Sequence, residues 1–279
     1  MRTWLVTGGS SGIGRDLVEA VLAHGDQVVA TSRAPEALGD LARRHDGRLL
    51  PVALDVTDPA AVRAVVEAAA ERFGSLDVVV NNAGYATSAA IEEFPEEEFR
   101  AQIEVNLFGV VNVTRAVLPF MRRRRSGHIV QISSIGGRVG GSPGLSAYQT
   151  AKFGVEGFSE VLANEVAPLG VKVTIVEPGG FRTNWNAGAA TAQAPVGEDY
   201  DQTIGEWLRM RARYGGSEPG DPARAAQAII AVVEAEEPPR RLLLGSDALT
   251  SALRSADERT AEARKWAPLT TSTDYPPTP

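Results

Sequence analysis

Thr7-Gly-Gly-Ser-Ser-Gly-Ile-Gly14 decides the fold through what stands on either side of it. Before it, Thr3 to Thr7 is a short apolar run of strand character. After it, Arg15 to Leu22 carries helix periodicity, with Ile13, Leu17, Val18, Val21 and Leu22 as the apolar positions. Strand, glycine turn, helix is the opening unit of a nucleotide-binding α/β sheet. Gly8, Gly12 and Gly14 let the backbone approach a pyrophosphate closely. The amides and positive dipole end of the helix, from Ser10 and Ser11 through Ile13, face its charge. The spacing Gly-x-x-x-Gly-x-Gly departs from the commoner Gly-x-Gly-x-x-Gly, so the turn by itself also reads as a tight loop that binds nothing.

Outward from this turn, apolar strands alternate with helical stretches. Strands are expected at Trp4 to Thr7, Val28 to Thr31, Leu49 to Leu54, Val78 to Asn81, His128 to Ser133, Lys172 to Glu177 and Arg241 to Leu244. The best-marked helix has Asp58 as cap and Pro59 at its first position, carries Val62, Val65, Val66, Ala69 and Phe73 on one face, and stops at Gly74. The alternation predicts a doubly wound parallel sheet of Rossmann type, about seven strands with helices on both faces and ligands at the carboxyl ends of the strands. A single domain is expected over 1–265. The stretch 184–221, with Trp185, Trp207, Met210 and Tyr214, reads as a lid over an apolar substrate, and packing onto the core or a subunit interface explains the same residues. Residues 266–279, rich in Pro, Thr and Ser, read as a poorly ordered tail.

Composition narrows the function classes. The chain has 279 residues, 43% hydrophobic and 23% charged, ordinary usage for one globular domain. A net charge of -7 argues against nucleic acid, and the basic run Arg122 to Arg125 falls where a helix ends, so it reads as a solvated partner of the helix dipole. Without cysteine there are no disulfides or thiolates, and His24, His45 and His128 lack ligand spacing, so no metal site is expected. No apolar run of transmembrane length is evident and strand one follows Met1 at once, so a cytoplasmic protein without membrane contact is expected.

A second motif carries the chemistry. In Ala147-Tyr-Gln-Thr-Ala-Lys-Phe153, a four-residue step stacks Tyr148 and Lys152 on one helix face. The chain uses 25 Arg and only 3 Lys, so an ammonium beside a phenol stands out against its composition. A free phenol has a pKa near 10, and neutral-pH chemistry asks for a shift of about 3 units, roughly 4 kcal/mol. One unit charge about 4 Å away at an effective dielectric near 20 is worth that much.

With these motifs in hand, the sequence closely resembles the short-chain dehydrogenase/reductase family from Trp4 to about Leu244. Besides Thr7 to Gly14 and the Tyr148/Lys152 pair, the family's motifs recur in order as Asp55-Val56, Asn81-Asn82-Ala83-Gly84, Asn106, Ser133-Ser134 and Pro178-Gly179 leading to Thr183. One departure is that Ser134 lies 14 residues before Tyr148, one more than the usual gap, with the surplus placed in Gly140 to Gly144.

The resemblance implies hydride transfer between a nicotinamide and a carbonyl or alcohol carbon of a small-molecule substrate, in a homodimer or homotetramer joined through the helices at Phe108 to Arg122 and Ala147 to Ala167. It implies Tyr148 as general acid or base and Lys152 as the group that lowers its pKa and holds the nicotinamide ribose. By the same resemblance Ser134 bonds the substrate oxygen and Asn106 positions a water next to Lys152, although Ser133 competes with Ser134 and Asn106 also reads as a helix-kink residue. Asp55 and Val56 would meet the adenine, Asn82, Ala83, Gly84, Pro178 and Gly179 would also bind the cofactor, and Thr183 would hold the nicotinamide carboxamide. At the end of strand two, Ser32-Arg33 stands where a carboxylate would select NAD, and Arg33 matches the 2′-phosphate of NADP, while Glu36 keeps NAD open. The rival class is an NADP(H)-binding sensor that catalyses nothing.

Overall fold

The computed structural model describes residues 1–45, 47–185, 189, 191 and 195–275, so 186–188, 190 and 192–194 of the expected lid and 276–279 of the expected tail lie outside the described residues. Seven strands, β1 (Thr3–Thr7), β2 (Gln27–Ser32), β3 (Leu49–Ala53), β4 (Val78–Asn81), β5 (Gly127–Ile132), β6 (Val171–Pro178) and β7 (Arg241–Leu244), form one sheet. Every pairing is parallel and the order is β3-β2-β1-β4-β5-β6-β7. The chain winds outward from β1 in one direction and then, from β4, in the other. The crevice beyond the carboxyl ends of β1 and β4 is therefore the topological switch point where ligands gather.

Strand periodicity sends alternate residues to two cores. Trp4 and Val6 of β1 join Val28, Val80 and the apolar faces of α1 (Gly12–Ala23) and, near the chain's end, of the helix Pro222–Glu234 on one face. Leu5 joins Val29, Val79 and Ile129 on the other, under α3 (Pro59–Phe73), α5 (Gly109–Arg124) and α7 (Ser146–Val166). Between β2 and β3 lies α2 (Gly39–Arg44), and α4 (Glu96–Ile103) precedes α5. A π-helical turn, Glu104–Phe108, joins α4 to α5 into one rod. By length and composition an 18-residue window within Glu96–Arg124 is apolar enough to cross a membrane, which the sequence reading did not register, and core helices pass the same test. In the fold, Val110, Val113, Val117 and Met121 of this rod are buried under the sheet.

Further α-helices are α6 (Ile135–Arg138), α8 (Glu206–Tyr214), α9 (Pro222–Glu234) and α10 (Ser246–Thr271). The helix α10 corrects the expectation of disorder from 266, because it runs through Ala267 and Pro268 to Thr271. Proline at 268 removes the amide that would bond Arg264 O and crowds that carbonyl, and the helix ends three residues later. The lid segment also differs from an open flap: Trp185 and Trp207 pack on Ala86, Leu145, Tyr148 and Ala189.

Local signals explain where α3 begins and ends. Asp58 Oδ1 accepts from the amides of Ala60 at 2.8 Å and Ala61 at 3.0 Å, Pro59 needs no donor there, and Gly74 leaves the helix at φ 75°. Asp58→Ala is expected to lower the unfolding free energy by about 0.5–2 kcal/mol, read as a shift of the urea midpoint at unchanged slope. A change below a few tenths would show that the cap contributes nothing.

Candidate active site

The site is built around a clamp between two loops. Thr7 Oγ1 accepts from the amides of Asn82 and Ala83, both at 3.0 Å, and Asn82 Nδ2 donates to Thr7 O at 2.9 Å and Gly8 O at 3.1 Å. The loop after β4 thus rests on the glycine turn after β1. Gly8 turns with φ 65°, and a Cβ there would stand 2.9 Å from Ala83 Cα; on Gly14 it would fall onto Gly8 O and Asn82 Nδ2. Ser11 precedes α1 without a side-chain cap and no acid occupies the first turn, so the dipole end is open to an anion. The cradle, with glycines at the two positions where a Cβ would collide and an uncapped helix start, fits a dinucleotide pyrophosphate.

Beyond the strand ends opens a cavity of about 750 Å³. Tyr148 and Lys152, one turn apart on α7, are 7% and 4% exposed. The end of β5 separates its two serines: Ser133 is buried toward Gly137, where a Cβ would stand 2.7 Å from Ser133 Oγ. Ser134 lines the cavity, caps α6 by accepting from Gly136 N at 3.0 Å, and its hydroxyl tends to lower the pKa of the Tyr148 phenol. Between them and Tyr148, Gly140, Gly141 and Gly144 adopt φ of 76°, 83° and 80°, which gives the additional residue room to loop out. Asn106 sits in the π turn; its Oδ1 accepts from Tyr85 N at 3.2 Å, and its Nδ2 donates to Tyr85 O and Gln102 O, both at 2.9 Å. Gly84 lies between Asn106 and Lys152, since a Cβ there would collide with Asn106 Oδ1 and reach 3.7 Å from Lys152 Nζ.

Burial moves the two titrating groups in opposite directions. Desolvation pushes the Tyr148 phenol up to about 12, against the Ser134 hydroxyl and the positive charge of Arg211. It pushes the Lys152 amine down to about 8, against the carboxylate of Glu156. Lys152 Nζ donates to Ile132 O at 2.8 Å and stands 5.7 Å from the phenol ring centroid. Arg211 of α8 also lowers the phenol, in addition to Lys152, the cation expected beside it from the sequence.

At the opposite end of the cavity, Ser32 Oγ accepts from Ala34 N at 2.8 Å and turns the chain so that Arg33 borders the cavity. Among the described residues no hydrogen bond or ion pair engages Arg33. Arg15, the other nearby cation, is held by Ala37 O at 2.7 Å, Glu19 and Asp40. Asp55 Oδ1 accepts from Thr57 N and Oγ1, which hold its carboxyl below the usual range, with Arg33 adding to the effect. Val56 and Thr183 line the same cavity, and Gly12 packs beside Thr183.

Three features escaped the sequence reading. Asp247 Oδ2 accepts from Gly180 N at 2.7 Å and locks the Pro178-Gly179 turn from the start of α10. Glu177, whose side chain is fully buried, pairs with Arg138 at 3.2 Å and Arg241 at 3.1 Å, and Arg241 also holds Glu156 at 3.0 Å. Burial, reinforced by Glu156, raises the Glu177 carboxyl above its ordinary value. Arg211 is the third; its only sequence signal is its place four residues after Trp207, which stacks the two on one helix face.

Comparison with known proteins agrees with this geometry. The model of the short chain dehydrogenase family matches residues 2–194. Oxidoreductase BOA17 of Botryotinia fuckeliana is 48% identical over 269 residues, covering 96% of this chain and 97% of that protein. The 3-ketodihydrosphingosine reductase of Bacteroides thetaiotaomicron is 38% identical over 247 residues, covering 86% and 87%. A crystal structure of a short-chain dehydrogenase from Streptomyces avermitilis has a TM-score of 0.90 and 43% identity, covering 98% of this chain and 99% of that one.

The depressed amine makes a stability prediction. From about 8 up to 10.5 the unfolded chain binds a proton at Lys152 that the native state does not, so this group makes stability rise with pH across that window and leaves a buried charge below it. Lys152→Met should then be more stable than the parent at pH 7, by on the order of a few kcal/mol, with the gap closing toward pH 10. Tyr148, whose pKa is raised, acts in the opposite sense and only above pH 10. Denaturant unfolding of both proteins at pH 7 and pH 10 measures the gap, and a difference independent of pH would refute a buried ammonium.

Proposed function

We propose, on the premise that the chain belongs to the short-chain dehydrogenase family, that it is an NADP-dependent enzyme interconverting an apolar ketone or aldehyde and its alcohol. What carries this reading is the meeting of Ser134, Tyr148 and Lys152 in one cavity beside the glycine cradle. When bound, the nicotinamide supplies or accepts the hydride. The chain's own residues do the rest: Ser134 bonds the carbonyl oxygen, Tyr148 donates the proton to it, and Lys152 holds the nicotinamide ribose. A phenol pushed up to about 12 is fully protonated at neutral pH, the state from which reduction of a carbonyl starts. Asn106 fixes the cavity wall at Tyr85, next to Lys152.

Arg33 supports NADP over NAD, because it borders the cavity while Arg15 is already paired. An apolar substrate is supported by Trp185, Leu145 and Ala86 beside Tyr148, and the 3-keto lipid in the name of the Bacteroides relative is of this kind. Phe108, Phe153 and Val161 are exposed on the rod and α7, which supports a homodimer or homotetramer joined there. We place the enzyme in the cytoplasm.

Tyr148→Phe should lower turnover by a factor of about a hundred or more and leave nucleotide affinity nearly intact, since it removes only the transferable proton. The measurement is nicotinamide absorbance against a panel of ketones and alcohols with each cofactor. Nucleotide binding with no turnover of any of them would favour a sensor. Arg33→Ala should weaken NADP by roughly 1.5–3 kcal/mol and leave NAD almost unchanged. Dissociation constants for both nucleotides decide this, and an insensitive NADP affinity rejects the assignment.

A further inference from the structure

The loop that carries the residue additional to the family's spacing borders the cavity at Ser142. It brings Ser142 N within 3.3 Å of Oε1 of Gln149, the residue after Tyr148 on α7. A backbone N–H only donates, so this contact fixes which way the amide faces, with Oε1 at Ser142. Nε2 is thereby turned toward Gly136, where a Cβ would stand 3.3 Å from it and 3.4 Å from Ser134 Oγ. The two side chains therefore border one gap that a glycine keeps open. Gln149, Ser142, Gly136 and Ser134 all line the cavity. Among the described residues nothing accepts a hydrogen bond from Gln149 Nε2.

A side chain needed solely to hold Ser142 N would serve as well as a glutamate, since that contact uses only an acceptor. The amide adds a donor, and it adds it across one small gap from the hydroxyl that takes the substrate oxygen. Two hydrogen bonds of about 2.8 Å spanning such a gap match a pair of oxygens on adjoining carbons or one carbon removed. Trp185 and Leu145, packed with Tyr148, offer apolar surface to the rest of the molecule.

We propose that Gln149 sets substrate specificity by donating from Nε2 to a second oxygen of the substrate, so that the enzyme acts on apolar compounds oxygenated at two nearby carbons, hydroxyketones and diones, rather than on simple ketones. This rests on the dehydrogenase reading of the same cavity. In reduction one carbonyl carbon takes the hydride, its oxygen takes the Tyr148 proton, and the second oxygen at Gln149 is unchanged. The nicotinamide is oxidised as the carbonyl is reduced.

Two measurements separate this proposal from the reading beneath it. The first is kcat/KM for 2-octanone, 2,3-octanedione and 4-hydroxy-2-octanone in the parent, Gln149→Met and Gln149→Glu. A dione is intrinsically more reactive than a ketone, so the quantity read is the change in preference between parent and variant. In Gln149→Met the preference for both dioxygenated compounds over 2-octanone should fall at least about fivefold. Gln149→Glu keeps an acceptor for Ser142 N but presents oxygen in place of Nε2. It should lose the dione preference and keep that for the hydroxyketone, whose O–H donates to the carboxylate. The second is equilibrium binding of 4-hydroxy-2-octanone and of 2-octanone, followed by Trp emission, in the parent and Gln149→Met, where the advantage of the hydroxyketone should fall by a similar factor. Unchanged preferences in Gln149→Met, equal loss for all three compounds, or a dione preference retained in Gln149→Glu overturns the proposal. A binding advantage that depends on Gln149, without turnover of any carbonyl compound, would uphold the donor site and sink the dehydrogenase reading. Neither advantage nor turnover would sink both.

Discussion

Asn82 and Thr7 hold the loop after β4 against the glycine turn after β1, and the geometry of the cavity follows from that contact. Four hydrogen bonds cross between the loops, and the space they leave is too small for a side chain at Gly8 or Gly14. Because β1 and β4 are neighbours in the sheet although far apart in the chain, the clamp forms only when the sheet's winding has reversed. The cradle for a pyrophosphate is thus a property of the completed topology as much as of the glycines.

Desolvation dominates the electrostatics of the reacting pair. It drives the phenol and the amine toward their neutral forms, the first up to about 12 and the second down to about 8, and the nearest opposing groups recover only part of this. A site of this kind is poised to respond strongly to any charge brought into it, since a charge acts further in a dry cavity than in water. The same argument explains why Glu177 and Glu156 are gripped by Arg138 and Arg241 behind α7. Carboxylates buried that deeply near the site would otherwise add to its field without control.

Much of this was legible in the residue order, for definite reasons. The strands were visible because a parallel sheet covered on both faces needs unbroken apolar runs, and Val78 to Val80 or Leu242 to Leu244 supply them. The span of α3 was visible because Asp58, Pro59 and Gly74 each act on their own neighbours. Tyr148 and Lys152 could be paired because helical spacing alone brings them together. Asp247, Glu177 and Arg211 could not be found in the same way, since each acquires its role from partners far along the chain. Ala267 to Thr271 misled because Pro and Thr signal disorder by composition, while a helix already twenty residues long carries them along.

The scarcity of lysine has a chemical consequence for the folded protein. Its side-chain amines are Lys152, Lys172 and Lys265, of which Lys265 is exposed on α10 and Lys172 donates to the carbonyls of Ala235 and Glu236 at the surface. An acylating reagent attacks the neutral amine, and the pKa of about 8 makes Lys152 unusually nucleophilic near neutrality at the very position that burial closes to reagents. Reactivity and access are opposed in one residue. The extent of acylation at Lys152 relative to Lys265 therefore reports how readily the cavity that Lys152 lines admits a molecule of the reagent's size.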